Sequence, residues 1–234
     1  VGIMKRKIWK AAVPYTIPVC MGYIFLGIAF GVLMVSRGFH PGWAILMSVC
    51  VFAGSMQFVA VDLLSGPFSL LTAGLMTLMV NARHIFYGLS MLDRFKICGK
   101  LKPYMMFSLS DETYSLLCST EPPEGIDKKW FMFFIAVMDQ LYWIAGTAIG
   151  SLAGSLITFD STGIDFAMTA LFIVIFVEQW ESTKNHIPAL LGLAVTVVCL
   201  LIFGSEWFVI ASMAGIFVTL SLLRGHMVKK EAVQ

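Results

Sequence analysis

The chain has 234 residues, of which 59% are hydrophobic and 13% are charged, whereas an average soluble domain has about 25% charged residues. This composition excludes an ordinary soluble domain, because a water-covered surface of this size needs more polar groups. The net charge is only +2, and the basic residues form separate groups beside hydrophobic runs, which excludes a nucleic-acid-binding face. The composition predicts a membrane protein whose helices are surrounded by lipid.

Eight hydrophobic segments follow one another along the chain. A helix that crosses a hydrocarbon core of about 30 Å needs roughly 20 apolar residues, and most of the segments approach this length. Their approximate limits are residues 15–36, 42–62, 68–92, 104–119, 130–154, 165–181, 187–203 and 207–223. The first segment follows basic residues but is longer than the core of a signal peptide, so it is predicted to be a transmembrane helix.

The positions of the basic residues bear on how these segments cross the membrane. A basic cluster at residues 94–102 separates the third and fourth segments, and the positive-inside rule places such clusters in the cytoplasm. If all eight segments crossed from a cytoplasmic N-terminus, this cluster would lie outside. If the second and fourth segments, which contain polar residues, are broken or re-entrant, both termini and every basic cluster lie in the cytoplasm.

We therefore predict an all-α fold, a polytopic helix bundle with six full spans plus two broken or re-entrant segments, with eight spans as the alternative. The whole chain, 1–234, is predicted to be a single transmembrane domain with cytoplasmic ends at residues 1–14 and 224–234. An internal repeat is a further possibility, since two glycine-rich helices are each followed by a Gln-aromatic pair. The two sets are Gly22, Gly27 and Gly31 before Gln57-Phe58, and Gly146, Gly150 and Gly154 before Gln179-Trp180. The match could also arise by chance, and a true repeat would argue against a re-entrant second segment.

Polar residues within the hydrophobic segments are candidate functional residues, because such groups must be paired or line a wet cavity. In the second segment, Gly54 and Ser55 weaken the helix, and Gln57 offers two donors and an acceptor. A helix broken there would direct backbone N–H groups at an anionic ligand. The alternative is close helix packing through the small residues, with Gln57 hydrogen-bonded across the interface.

The third segment contains Asn81, Arg83 and His84 in its middle. Arg83 remains charged at physiological pH, and its guanidinium can hold a carboxylate through two hydrogen bonds. His84 titrates near neutrality and could relay protons, or it could be a static hydrogen-bonded histidine. The alternative for Arg83 is a structural ion pair with Asp111, Glu112 or Asp139.

Two further acidic sites follow. Asp111 and Glu112 are adjacent and point about 100° apart on a helix, so we expect one to pair with Arg83 and the other to face water. A carboxyl partly removed from water can carry a proton, although a solvated cytoplasmic turn is the alternative. Asp139 lies deep enough in the fifth segment to need a partner, and it ranks above Glu178. The predicted substrate-binding residues are Gly54, Ser55, Gln57, Asn81, Arg83, Asp111 and Glu112, and the predicted proton-coupling residues are His84, Asp111, Glu112 and Asp139.

Several classes of protein have no support in the sequence. The five cysteines include no C-x-x-C pair, so no disulfide framework or zinc site follows, and no metal or cofactor is predicted. There is no phosphate-binding loop, dinucleotide fingerprint or H-E-x-x-H motif, which argues against ATP hydrolysis and against an enzyme. Uphill transport would need an ion or proton gradient, and a passive channel or facilitator is the alternative.

Taken together, four motifs resemble the AzlC family. They are the Ala-Gly-Ser-Met-Gln-Phe stretch at 53–58, the Asn-Ala-Arg-His run at 81–84 with Tyr87-Gly88, the Asp111-Glu112 pair and the Val-Glu-Gln-Trp segment at 177–180. The resemblance extends over about residues 10–223 and implies the large subunit of a branched-chain amino acid exporter in the bacterial inner membrane. It also implies a small AzlD-type membrane partner and export driven by the proton gradient.

The polar residues fit such a substrate, because an amino acid carries both a carboxylate and an ammonium group. Arg83 and the Gly54-Ser55 break could bind the carboxylate, and Asp111, Glu112 or Asp139 could bind the ammonium. Apolar walls would accept the side chain.

Overall fold

The computed structural model describes residues 2–67, 69–156, 173, 176, 177, 180, 181 and 186–231. These residues are organised as helices without any β-strand, in two compact units, Val1–Leu171 and Phe172–Gln234. Three of the described helices are long and apolar enough to cross a membrane, at Lys5–Ser36, Lys128–Leu156 and Ile187–Gly204. The prediction of an all-α protein is confirmed for the described residues, whereas the number of crossings and the single domain stay predictions.

The first unit contains seven described α-helices and one 3-10 helix. They are α1 (Gly2–Ser36), α2 (Pro41–Cys50), α3 (Gly54–Ser65), α4 (Leu70–Met91), the 3-10 helix Arg94–Leu101, α5 (Lys102–Phe107), α6 (Asp111–Ser119) and α7 (Lys128–Leu156). Several begin at capping residues that satisfy free backbone N–H groups. His40 caps α2, Ser69 caps α4 and Ser110 caps α6, each through a side-chain acceptor.

Helices α1 and α7 pack side by side and run in the same direction. The rings of Trp9 and Phe134 are 5.3 Å apart between centroids, and farther along the pair the hydroxyls of Thr16 and Tyr142 are 3.1 Å apart. The residue numbers at these contacts therefore increase in the same direction along both helices, which makes the pair parallel. The basic residues 5–10 and the basic pair that begins α7 lie at one end of the α1–α7 pair, which we call the basic end. The other end, where α1 stops and Arg37 follows, is the far end.

Glycine allows the close approach of α1 and α7. A Cβ atom on Gly146 would lie 2.6 Å from the backbone oxygen of Ile24, and one on Gly27 would lie 2.9 Å from the backbone nitrogen of Thr147. No side chain fits at these distances, so the small residues set the separation of the helices. Gly22, in contrast, has open space beside it, with no atom within 4 Å of an added Cβ.

The possible internal repeat stays a prediction. Its two glycine sets lie on α1 and α7, which face each other, and most of these glycines therefore have a packing role. The second Gln-aromatic pair begins at Gln179, which lies outside the described residues, as does most of the predicted segment 165–181.

The second hydrophobic segment is broken, as predicted. Helices α2 and α3 are separated by residues 51–53, and Phe52 in this turn has a φ of 43°, in the left-handed region that non-glycine residues rarely adopt. The Phe52 side chain is buried, and this packing holds the turn in place.

Helices α2 and α3 form a hairpin that returns to the far end. Helix α3 begins beside the middle of α7, where a Cβ on Gly54 would lie 3.2 Å from the ring of Trp143. It then runs back until Asp62 lies 3.3 Å from Arg37, at the far end. Helix α2 also starts close to the end of α1, so both ends of this far-end hairpin lie at the far end of the α1–α7 pair.

The fourth hydrophobic segment is broken in the same way, but it returns to the basic end. Helix α5 follows the 3-10 helix, residues 108–110 form the turn, and α6 leads away from it. At its start α6 contacts the middle of α7, where Thr113 Oγ1 and Asp139 Oδ2 are hydrogen-bonded at 2.8 Å. Just beyond its end, Glu121 lies 2.5 Å from Lys128 at the basic end. This is the basic-end hairpin.

The tips of the two hairpins meet inside the first unit, beside α4. The rings of Phe52 and Phe107 are 6.4 Å apart between centroids, one from each tip. Helix α4 has 22 residues and a length of about 33 Å. Its polar middle, residues 81–84, lowers its mean hydropathy. For this reason α4 is not one of the three described helices that are apolar enough to cross a membrane. The two hairpins therefore bring their turns to the polar part of α4.

The second unit contains a long helix, α8 (Ile187–Glu231), that is interrupted at Gly204. The φ of Gly204 is 67°, a conformation that favours glycine. The two halves fold against each other, because a Cβ on Gly215 would lie 2.9 Å from a side-chain atom of Val195. The interruption separates the predicted segments 187–203 and 207–223.

Candidate functional site

Arg83 joins the tips of the two hairpins. Its Nη2 atom donates a hydrogen bond of 3.0 Å to Ser55 Oγ in the first turn of α3, and it lies 2.8 Å from Asp111 Oδ2 in the first turn of α6. The side chains of Arg83 and Asp111 are 27% and 26% exposed, so the ion pair is sheltered and still reachable. Arg83 Nε is buried and has no hydrogen-bond partner within the described residues. The guanidinium therefore has one donor that no described residue uses.

Two half-helices begin at this ion pair with different chemistry. Helix α6 begins with Asp111 and Glu112, and acids at this position are stabilised by the helix dipole. Helix α3 begins at Gly54, and no side chain caps its first turn. The start of α6 suits a cationic group, and the start of α3 suits an anionic group that can accept backbone N–H bonds.

Asp111 and Glu112 have separate partners, as expected for adjacent acids. Asp111 also accepts a hydrogen bond of 2.7 Å from the Tyr87 hydroxyl, through the oxygen that does not face Arg83. Glu112, which we expected to face water, is half-buried, and its Oε2 lies within hydrogen-bond distance, 2.6 Å, of the Tyr23 hydroxyl on α1. The side-by-side acids thus point to different helices.

A chain of hydroxyl groups continues from Glu112 to Asp139. The Tyr23 hydroxyl is 2.5 Å from Ser110 Oγ, which is 3.0 Å from Thr113 Oγ1, and Thr113 Oγ1 is 2.8 Å from Asp139 Oδ2. Asp139 is fully buried, and its other oxygen has no hydrogen-bond partner in the described part of the chain. The partner of Asp139 is therefore a hydroxyl group and not Arg83, which pairs with Asp111.

Gln57 belongs to a different network. Its amide oxygen accepts a bond of 3.0 Å from Trp143 Nε1, and its amide nitrogen is 3.3 Å from Ser48 Oγ, which donates to Thr147 Oγ1 at 2.9 Å. The side chain of Gln57 is fully buried where α3 packs against α2 and α7. Its hydrogen bonds do not involve the Arg83 ion pair. These contacts fit the packing alternative, in which Gln57 is bonded across a helix interface.

Replacing Gln57 by leucine should therefore destabilise the protein. The change leaves Trp143 Nε1 buried without its acceptor, which costs about 1–3 kcal/mol. The matched control is Asn81→Leu, because Asn81 Oδ1 is buried and makes no hydrogen bond within the described residues. Thermal unfolding in detergent should show a lower midpoint for Gln57→Leu than for Asn81→Leu. The reverse order would contradict the packing role.

His84 and Asn81 lie one turn or less from Arg83 on α4. His84 Nδ1 is 3.3 Å from the backbone oxygen of Asn81, and its ring contacts Tyr87 edge to face. No ion pair of His84 is present in the part of the chain that the structure describes. Asn81 and His84 are near the predicted site, and their roles in binding or proton coupling stay predictions.

The sequence interpretation missed Tyr23, Tyr104 and Trp143. Tyr104 donates a hydrogen bond of 2.7 Å to Gln140, close to Asp139. Tyrosine and tryptophan in membrane proteins are usually placed at the lipid interface, so the sequence offered little reason to put them inside. Among the described residues, no group of three or more His, Cys, Asp or Glu side chains is arranged to hold a metal ion.

Three long apolar helices, together with broken helices that meet at a sheltered ion pair, indicate an integral membrane protein with a polar site inside it. The family model described as AzlC protein matches residues 18–157. The chain is 48% identical to the branched-chain amino acid transport protein AzlC of Bacillus subtilis (strain 168), over 97% of this chain and 91% of that protein. The chain belongs to the AzlC family, as its motifs predicted, and its class is membrane transport.

Other relatives are also membrane proteins. An uncharacterized membrane protein of Helicobacter pylori (strain ATCC 700392 / 26695) is 44% identical over 94% of this chain and 97% of its own length. The inner membrane protein YgaZ of Escherichia coli (strain K12) is 26% identical over 73% of this chain and 72% of its own length. No solved structure gives a significant match.

Proposed function

We propose that this protein exports branched-chain amino acids across the bacterial inner membrane, driven by the proton gradient, together with a small AzlD-type membrane subunit. The observation that carries the proposal is the Arg83–Asp111 pair, a cation and an anion 2.8 Å apart between two half-helix N-termini. An amino acid presents the complementary pair of charges. The name of the Bacillus subtilis relative supports the branched-chain class.

The ion pair offers a binding mode for both ends of an amino acid. The substrate carboxylate replaces Asp111 at Arg83 and accepts hydrogen bonds from Ser55 and the first turn of α3. The substrate ammonium then binds Asp111, so every sheltered charge keeps a partner. Phe52 and Phe107 at the hairpin tips provide apolar surface for the side chain.

The same proposal includes six crossings with two re-entrant hairpins and cytoplasmic termini. Its support is that Glu121 lies 3.8 Å from Arg94 and 2.5 Å from Lys128, so the basic cluster 94–102 is at the basic end, with residues 5–10. Eight crossings would put this cluster at the far end. A cytoplasmic basic end satisfies the positive-inside rule.

Cells that carry the protein and its small partner should export labelled isoleucine or valine faster than cells without it. Efflux is measured with each subunit present alone and with both together, and labelled lysine is the control substrate because its charged side chain does not suit an apolar wall. A protonophore should stop uphill efflux. Equal efflux of every branched-chain amino acid in all strains would contradict the proposed function.

A passive facilitator is the second candidate, favoured by the partial exposure of the ion pair. It predicts that flux down a concentration gradient is unchanged when the proton gradient is dissipated. The protonophore arm of the efflux measurement therefore separates the two candidates.

A further inference from the structure

We propose that Tyr23, Ser110 and Thr113 form a proton relay that shares one proton between Glu112 and Asp139. The four contacts along the relay are 2.6, 2.5, 3.0 and 2.8 Å long, all within hydrogen-bond distance. The relay rests on the proposed function, because it gives the coupling proton a route beside the substrate site.

A count of hydrogens sets the protonation of the relay. In the proposed relay, each of the four contacts between the two carboxyls is a separate hydrogen bond and needs one hydrogen. The hydroxyls of Tyr23, Ser110 and Thr113 supply three, because a hydroxyl has one hydrogen to donate. The fourth hydrogen then comes from a carboxyl, so the proposed relay contains one carboxylic acid and one carboxylate.

The relay has two equivalent patterns of hydrogen bonds. With the proton on Glu112, that acid donates to Tyr23, and each hydroxyl donates to the next group towards Asp139. With the proton on Asp139, every donation is reversed and Tyr23 donates to Glu112. The Tyr23 hydroxyl lies close to both Glu112 and Ser110, as the two patterns require.

The change between the patterns is balanced within the relay. Each O–H bond breaks as its hydrogen moves to the next oxygen, which releases its own hydrogen in turn. Each hydroxyl ends with one hydrogen, Glu112 loses a proton and Asp139 gains one. No oxidant, reductant or other reactant takes part.

The relay connects the substrate site with the interior of the α1–α7 pair. Glu112 follows Asp111, which is held by Arg83 and Tyr87. An ammonium group bound at Asp111 adds positive charge beside Glu112 and favours its ionised form. Substrate binding therefore moves the proton towards Asp139, and this movement couples the two sites.

The surroundings of Asp139 suit the protonated end of the relay. It is fully buried, and Oδ1 has no hydrogen-bond partner among the described residues. A buried charge without a cation is unfavourable, so a proton stabilises the group. Among the described residues, the charged and titratable groups near the relay include Arg83, Asp111 and Tyr87 on the Glu112 side and Tyr104 on the Asp139 side.

Infrared spectroscopy tests the shared proton without transport. The C=O stretch of protonated carboxyl groups is compared at neutral pH in the wild type and in the Glu112→Gln/Asp139→Asn double variant. We expect the double variant to lose the intensity of one acid. A loss of none, or of two, would overturn the relay.

Transport in proteoliposomes that contain the protein and its small partner tests the movement of the proton. Tyr23→Phe and Thr113→Val each remove one hydroxyl, and accumulation of isoleucine driven by a pH gradient should fall about tenfold or more. Exchange of isoleucine without a gradient should stay within about twofold of the wild type, because the ion pair is unchanged. Damage to the fold would lower both rates together.

Two conservative variants complete the test. Thr113→Ser keeps the hydroxyl, and Tyr142→Phe removes a tyrosine hydroxyl on α7 that contacts Thr16 outside the relay. Both should keep gradient-driven accumulation. Unchanged accumulation in Thr113→Val, or a wild type whose transport ignores the pH gradient, would overturn the relay. A wild type that transports no branched-chain amino acid would overturn the proposed function. In that case the infrared measurement would still test whether the relay shares one proton.

Discussion

Replacing Arg83 by alanine should abolish amino acid export while the protein remains in the membrane. The change removes the cation that bridges Ser55 and Asp111, so a substrate carboxylate loses its partner. Breaking a sheltered charge pair on one side costs about 3–5 kcal/mol, which corresponds to a factor of about 100 to 5,000 in an equilibrium constant. The measurement is efflux of labelled isoleucine, with the amount of membrane protein determined in parallel.

Three further variants separate the charge from its geometry. Asp111→Asn should also abolish export, whereas Arg83→Lys should retain a fraction, because lysine keeps the charge but not the planar fork. The matched control is Arg37→Ala, since Arg37 pairs with Asp62 at the far end, where the side chains are 38% and 49% exposed. Such an exposed pair contributes about 0–1 kcal/mol, and export should be nearly normal. Normal efflux in a protein with both Arg83→Ala and Asp111→Asn would refute the site.

The breaks in the helices could be predicted because they depend on local chemistry. Gly54 and Ser55 interrupt an apolar run, and Ser110 before Asp111 and Glu112 is a pattern typical of a helix N-terminus. Both places are where α3 and α6 begin. Composition and capping residues act within a few positions of the chain, so the sequence alone contains this information.

The partners within the site depend on contacts between distant residues. The sequence allowed three acids as partners of Arg83, and the packing of the basic-end hairpin selects Asp111. Tyr23 and Glu112 are 89 positions apart, and their hydrogen bond follows from how α1 meets α6. Neither contact leaves a periodic pattern in the sequence, because each uses a single side chain from each helix.

Most of the glycines that suggested an internal repeat also have a role in helix packing. Glycines on the first and fifth segments suggested a repeat, and all of them except Gly22 lie where α1 and α7 approach each other. A spacing of four residues places glycines on one helix face, which serves packing whether or not the chain contains a repeat.

The variant Gly150→Ala should lower the thermal stability of the protein and weaken export. A Cβ atom at position 150 would lie 2.6 Å from the Cα atom of Ile28, and backbone atoms cannot turn aside as a side chain can. The helices must separate, and overpacking of this kind costs about 1–3 kcal/mol. Because α1 carries Tyr23 and α7 carries Asp139, their separation also disturbs the hydroxyl chain between them.

Two other glycines provide controls for Gly150→Ala in thermal unfolding of the detergent-solubilised protein. An added Cβ at Gly154 would lie 3.4 Å from Val32 Cα, an ordinary contact, and one at Gly22 would meet no atom within 4 Å. We expect the midpoint of unfolding to be lowest for Gly150→Ala and to be unchanged or raised for both Gly154→Ala and Gly22→Ala, since alanine favours helix more than glycine does. Equal midpoints for Gly150→Ala and Gly22→Ala would mean that α1 and α7 are not in glycine-mediated contact, and the positions of Tyr23 and Asp139 relative to each other would then lose their structural basis.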